Sequence, residues 1–326
     1  MIISKTPLRI SFVGGGSDID SFYKKFPGAV VLTTIDKYIY IAVNKKFDQK
    51  IRASYSITEI VNNVDDLKHD LIRESLKLLG IYGGIEIASI SDVPSSGTGL
   101  GSSSSYTVGL LNALHAFKGE LVTTAKLAEE ACKIEIEILK KPIGKQDQYA
   151  AAYGGLNLIQ FMSNGNVTVE PIVYKKETRE ELEKNLLLCY SGITRSANRI
   201  LSEQKGNIET KKNIVNNIQI MVKLADTARM MLISNDLSRF GELIHQNWLL
   251  KRELASSVSS SAIDRLYEIA RKHGAAGGKI LGAGGGGFML LYAPHSKQET
   301  IIKSLPTFRL IPFKIESHGS HIINVN

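Results

Sequence analysis

The chain has 326 residues, with 40 lysines and arginines against 32 aspartates and glutamates, for a formal charge of +8 and a pI near 9.2. Apolar residues make up 43% and glycines number 28, enough for a sizeable core in two domains, which excludes disorder, collagen and coiled coil. Cys132 and Cys189 lie far apart and outside any C-x-x-C or histidine-paired spacing, so a disulfide framework and a structural zinc site are excluded and a reducing cytoplasm fits. The N-terminus lacks the apolar region and cleavage site of a secretory signal. The charge is spread without a Lys/Arg block, which favours anionic small molecules over nucleic acid or a membrane as partners.

In chain order, residues Arg9–Val13 and Ala29–Asn44 read as strands, the second interrupted near residues 33–36, and glycines 14, 15 and 16 end the first. A short β-like run, Gly84–Ile90, precedes a Gly/Ser-rich turn. Val93–Phe117 carries no charge and is long enough to span a bilayer, but its Ser and Gly content reads as a loop feeding a helix over Ser103–Phe117. A second helix runs from Thr124 to Lys141, stopped by Pro142. A charged connection over residues 175–184 leads to a strand at Leu186–Tyr190. Helices follow over Lys211–Leu232, Asp236–Ser256 and Ser261–His273, then strands at Gly287–Tyr292 and Phe308–Ile315. This is an α+β chain of two lobes, residues 1–180 and 181–326.

The strongest single signal is Pro94-Ser95-Ser96-Gly97-Thr98-Gly99-Leu100-Gly101-Ser102-Ser103-Ser104 leading into a helix. Its glycines let backbone N–H groups approach an anion, the helix N-terminus adds unpaired donors, and its hydroxyls can bind a metal; the plain alternative is a flexible linker. On a helical wheel Glu135 falls in the middle of the apolar arc of Thr124–Lys141, so it needs a partner, either a buried Lys or Arg or Mg²⁺. Asp147 stands at the start of a new segment and reads as a general base or an ordinary N-cap. The glycines at 282 and 284–287 precede a buried strand and indicate a close approach to the backbone or a tight loop. The seven histidines show no metal-ligand spacing, and Trp248 reads as core.

In this order the segments resemble the GHMP kinases. Arg9–Asp18 is similar to the family's first, substrate-facing motif, residues 94–105 to its phosphate loop with one extra residue, and Lys279–Phe288 to its glycine-rich third motif. The resemblance implies a two-lobed fold with the active site between the lobes, ATP as co-substrate, Mg²⁺ on Ser103 and Glu135, and Asp147 as base. It also implies that Arg9 neutralises charge near the transferring phosphoryl group and that Asp18 accepts from sugar hydroxyls. Gly15 and Gly16 replace the usual Glu-His. The wording of 6–18, 95–105 and 143–152 is similar to that of bacterial heptose 7-phosphate kinases, which phosphorylate the anomeric hydroxyl on the route to surface glycans; fucokinases carry much the same wording. A sugar phosphate needs a second anion site, for which Lys145, Arg195 and Arg199 are candidates, beside Gly284 and Gly285. Arg195 and Arg199 are equally consistent with a solvated helix face.

Overall fold

The computed structural model describes residues 1–94, 97–193 and 196–325. The chain opens with two long strands, β1 (Ile2–Val13) and β2 (Gly28–Lys45), linked through the short helix α1 (Asp20–Tyr23). A hairpin, β3 (Ile51–Ser54) and β4 (Thr58–Val61), leads to α2 (Asp70–Leu78) and β5 (Ile85–Ser91), and the Gly/Ser loop then enters α3 (Ser102–Phe117). Helix α4 (Thr124–Cys132) continues as a π-helical turn over Lys133–Ile138, followed by α5 (Gln146–Tyr153), β6 (Leu156–Phe161) and β7 (Val167–Pro171). The second half contains α6 (Lys176–Asn185), β8 (Leu186–Tyr190), α7 (Ala197–Thr210), α8 (Lys212–Ser234), α9 (Phe240–Arg252) and α10 (Ser261–Lys272). It ends with β9 (Gly277–Ile280), β10 (Phe288–Tyr292), α11 (His295–Ser304), β11 (Arg309–Leu310), β12 (Ile315–Glu316) and β13 (His321–Val325).

Two sheets organise these elements. The larger runs β13-β1-β2-β5-β3-β4, with β6 and β12 also pairing with β2 and β7 with β6; the smaller runs β11-β8-β10-β9. β2 is buried on both faces through Ile35 and alternates beyond it, with Ile39, Ile41 and Val43 inward. The interruption read near residues 33–36 is a change of partner within one strand. β6 covers Gly28–Thr33, β12 pairs at Thr34 and Ile35, and β5 takes over from Ile39. Helix α3 packs on β1 and β2 and against α4 and α5, while α9 packs on β9 and buries Trp248 completely. No helix among the described residues is long and apolar enough to cross a membrane.

Several expectations change. The helix read as Thr124–Lys141 is α-helical only to Cys132; its wider π turn rotates Ile138 off the apolar arc to 40% exposure while Glu135 stays fully buried. The charged connection at 175–184 is α6, which buries Thr178 and Leu182 one turn apart beneath its charges. The strand read at Phe308–Ile315 is two short strands in different sheets. The 180/181 division falls inside α6, and β12 and β13 return to pair with β2 and β1.

Candidate active site

A cavity of 430 Å³ opens between the end of β1, the Gly97–Ser104 segment, the start of α5, the first turn of α7 and the glycine loop before β10. β1 carries Arg9 into it. Its Nε and Nη2 donate to Asp147 Oδ1 and Oδ2, both at 2.7 Å, and its Nη1 to the Gly99 carbonyl at 2.5 Å. This fork fixes the carboxylate plane. Arg9 is buried while the Asp147 side chain keeps 23% exposure, so an acceptor hydroxyl can reach it. Asp147 lies in the first turn of α5, whose N-cap is Lys145; a guanidinium rather than helix N–H groups therefore holds it.

Asp18 faces the same cavity and accepts from the backbone N–H groups of Gly16 and Gln146, each at 3.2 Å. Burial first, and the nearby Asp147 charge second, push its carboxyl up to about 6. Glu135, fully buried, accepts from Ser103 Oγ at 2.6 Å, Ser104 Oγ at 2.7 Å and Gln148 Nε2 at 2.7 Å, with Lys141 Nζ at 3.5 Å. Of the partners weighed for this residue, the lysine is thus in contact. Ser103 Oγ and Glu135 Oε1 are hard oxygen donors side by side at the phosphate loop, a pair that fits Mg²⁺ alongside phosphate oxygens. Among the described residues no cluster of three acidic, Cys or His side chains could hold a metal alone.

The phosphate loop and the third glycine-rich segment do not simply await a ligand; they press on neighbouring backbone. A Cβ at Gly99 (φ +77°) would sit 2.5 Å from the Leu281 carbonyl oxygen, and one at Gly287 (φ +79°) 2.5 Å from that of Thr98. The Phe288 N–H donates to the Thr98 carbonyl at 3.0 Å, so the phosphate loop and the third motif form one double layer. Gly101, in the left-handed region, turns the chain into α3, whose first turn of serines faces the cavity. On the opposite wall a Cβ at Gly16 (φ +95°) would meet Gln204 Nε2 at 2.4 Å, whereas one at Gly15 meets nothing.

Two buried lysines complete the electrostatics. Lys251, on α9 at the cavity wall, donates to the carbonyls of Ile280 at 3.1 Å and Gly282 at 2.6 Å. Burial, then the Arg9 charge, pushes its ammonium down to about 7. Lys279 lies behind it, donating to Ser11 Oγ and the Phe12 carbonyl, and burial holds it well below the ordinary lysine range. A second cavity, 510 Å³, shares Ser102 and Ser103 with the first and is lined by Ile39, Tyr55, His69, Ile90, Val93 and Tyr106. His69 stacks on Tyr106, with centroids 5.1 Å apart, and meets Tyr55 edge-on.

Comparison with known proteins gives the family. Residues 67–155 match the GHMP kinases N-terminal domain and residues 225–308 the GHMP kinases C-terminal domain. A D-glycero-alpha-D-manno-heptose 7-phosphate kinase from Campylobacter jejuni is 32% identical over 93% of each chain. The chain belongs to the GHMP kinases. A crystal structure of a D-glycero-D-manno-heptose 1-phosphate kinase from Bacteroides thetaiotaomicron superposes on this kinase over the whole of both chains, with a TM-score of 0.83 at 23% identity. A bifunctional fucokinase/GDP-fucose pyrophosphorylase from Arabidopsis thaliana is 24% identical over 90% of this kinase and 30% of its own length.

In this GHMP kinase Arg9, Gly15, Gly16, Asp18, Gly97–Gly99, Gly101–Ser104, Asp147 and Gly284 line one cavity, with Glu135 against its serines. Leu100 is fully buried, its carbonyl accepting from the Arg9 N–H. Of the second anion site read from sequence, the two described basic residues, Lys145 and Arg199, do not line the cavity. Lys145 Nζ donates to the Gly165 carbonyl and lies over the Tyr23 ring. Arg199 is exposed on α7, one residue off the stripe of Ile200, Gln204 and Ile208. Gly285 donates to the Val258 carbonyl and is not in the lining. Ser95, Ser96 and Arg195 lie outside the described residues. Lys251, Lys141 and Gln204 escape sequence reasoning. A lone Lys or Gln on a helix reads as solvated unless the apolar stripe includes its position, as it does for Gln204 between Ile200 and Ile208.

Proposed function

We propose that this kinase transfers the γ-phosphoryl group of ATP to the anomeric C1 hydroxyl of D-glycero-D-manno-heptose 7-phosphate, making the 1,7-bisphosphate in the cytoplasm for GDP-heptose and surface glycans. The observation that carries the reading is Asp147, fixed by the Arg9 fork and open to the cavity that the phosphate loop borders. The likeness to the Campylobacter heptose 7-phosphate kinase supports the acceptor.

In this reading the serine turn of α3 binds the phosphates and the aromatic cavity around His69 and Tyr106 takes the nucleoside. Asp147 receives the C1 hydroxyl proton late in the transfer, and Asp18 accepts from a sugar hydroxyl. When bound at Ser103 and Glu135, Mg²⁺ supplies charge neutralisation to the phosphate oxygens. Catalysis is then positioning and charge stabilisation.

A second reading, an unphosphorylated acceptor such as fucose, is favoured by one observation: neither Lys145 nor Arg199 faces the cavity. ADP release with Mg²⁺-ATP across heptose 7-phosphate, free heptose, fucose, mannose, galactose and mevalonate separates the two. Turnover confined to heptose 7-phosphate is expected, and preference for fucose or free heptose would replace the first reading by the second. On the preferred acceptor Asp147→Asn should lose roughly 10² to 10⁴ in kcat; near wild-type turnover would remove the base assignment.

A further inference from the structure

Among the described residues three buried basic side chains lie at or behind the cleft, Arg9, Lys251 and Lys279, and they are not equivalent. Arg9 is committed, its Nε and Nη2 to Asp147 and its Nη1 to Gly99. Lys279 points away into Ser11 and Phe12. Lys251 lines the cavity, and its ammonium spends two N–H groups on the carbonyls of Ile280 and Gly282, leaving a third. It forms no ion pair with any described residue, although Asp18 and Asp147 lie close enough to act on its charge. A buried ammonium satisfied only by carbonyls is costly unless an anion arrives to complete it.

We propose that Lys251 is a catalytic residue that receives the phosphoryl group in flight, entering the cavity from α9 beside the glycine loop that packs on the phosphate loop. The Ile280 and Gly282 carbonyls aim it there, so the third glycine motif works as a bracket for a cation as well as a wall for the phosphate loop. In the step it serves, a bond forms between the acceptor oxygen and the γ-phosphorus while the bond from that phosphorus to the β–γ bridging oxygen breaks. The electron pair leaves with ADP, the acceptor proton passes to Asp147, and charge spreads over the three equatorial oxygens. Arg9, bound on three sides, is poorly placed to follow that charge; the third N–H of Lys251 is free to do so.

The inference rests on the cavity being the phosphoryl-transfer site, and the test separates the two claims. Lys251→Met and Lys251→Ala are compared with the wild type for kcat, acceptor KM, ATP affinity by equilibrium binding, and thermal midpoint. The expected result is a kcat lowered about 10²- to 10³-fold, the scale of losing one preorganised donor to a transition state, with ATP affinity and folding retained. Ethylammonium added to Lys251→Ala should restore kcat by a factor of about ten or more, a response that a merely structural lysine would not give. Wild-type turnover alongside a Lys251→Met kcat within about threefold of it overturns the role of Lys251 alone. Loss of kcat that tracks loss of ATP binding, with no response to the amine, overturns it in favour of a bracket for the loop. Absence of ADP release by the wild type with every acceptor overturns the transfer site and this role together.

Discussion

Asp18 and Asp147 are carboxylates of one cavity whose surroundings treat them differently. Asp147 has a guanidinium on both oxygens, whereas Asp18 has two backbone N–H groups, no cation in contact among the described residues, and Asp147 as a neighbour. The folded chain therefore keeps the Asp18 proton up to about pH 6, while the unfolded chain releases it near 3.8. In that window the native state binds more protons, so stability falls as pH rises through it, by about 3 kcal/mol once Asp18 is ionised. Asp18→Asn should accordingly melt higher than the wild type near pH 8 and converge with it near pH 4. Melting curves that stay parallel between those limits would show that Asp18 does not titrate in the cleft. Single residues were legible in the sequence where a pattern marked them as misplaced: Glu135 stands out because a carboxylate interrupts an apolar arc. Arg9 and Asp18 stand out only through likeness to a family, which also decides between the two readings, base or N-cap, that the position of Asp147 leaves open. Lys251 was illegible because its burial comes from residues 280–282 and β1, far away in the chain.

At the scale of elements, the double layer of glycine loops sets what the donor side can tolerate. Gly99 combines a left-handed backbone with a Leu281 carbonyl 2.5 Å from any Cβ. Gly99→Ala should lose about 1 to 3 kcal/mol from backbone strain alone and displace the loop, raising the KM for ATP while acceptor affinity changes less. Thermal melts and initial rates at varied ATP check this; an unchanged KM for ATP would mean that the loop moves without consequence for the nucleotide. Elements were legible where an apolar run is unbroken by charge, as in α3, β8 and β10. Where charge hides a sparse apolar stripe, as in α6 and α7, or where a π turn changes the period after Cys132, pattern alone misleads.

For the molecule as a whole, the return of β12 and β13 to β2 and β1 means that the first sheet is finished by the last residues of the chain. Residues 1–180 expressed alone should then lack cooperative unfolding and bind a hydrophobic dye, since the edge of β1 that β13 covers would lie bare. A sharp thermal transition of that fragment would show that the strands added last are dispensable. Two-lobed architecture was legible in the sequence, but this crossing was not, because β12 is two residues long and β13, His321–Val325, shows no alternation of polar and apolar residues. The cleft itself is lopsided in how it can change. Its donor side is locked glycine against glycine, so altering one loop demands a matching change in the other. Across from it, a side chain added at Gly15 would meet open space, while its neighbour Gly16 is closed off by Gln204. If the proposed function holds, descendants of this chain can therefore explore new acceptors one substitution at a time, entering through residue 15, without disturbing the locked glycine layer.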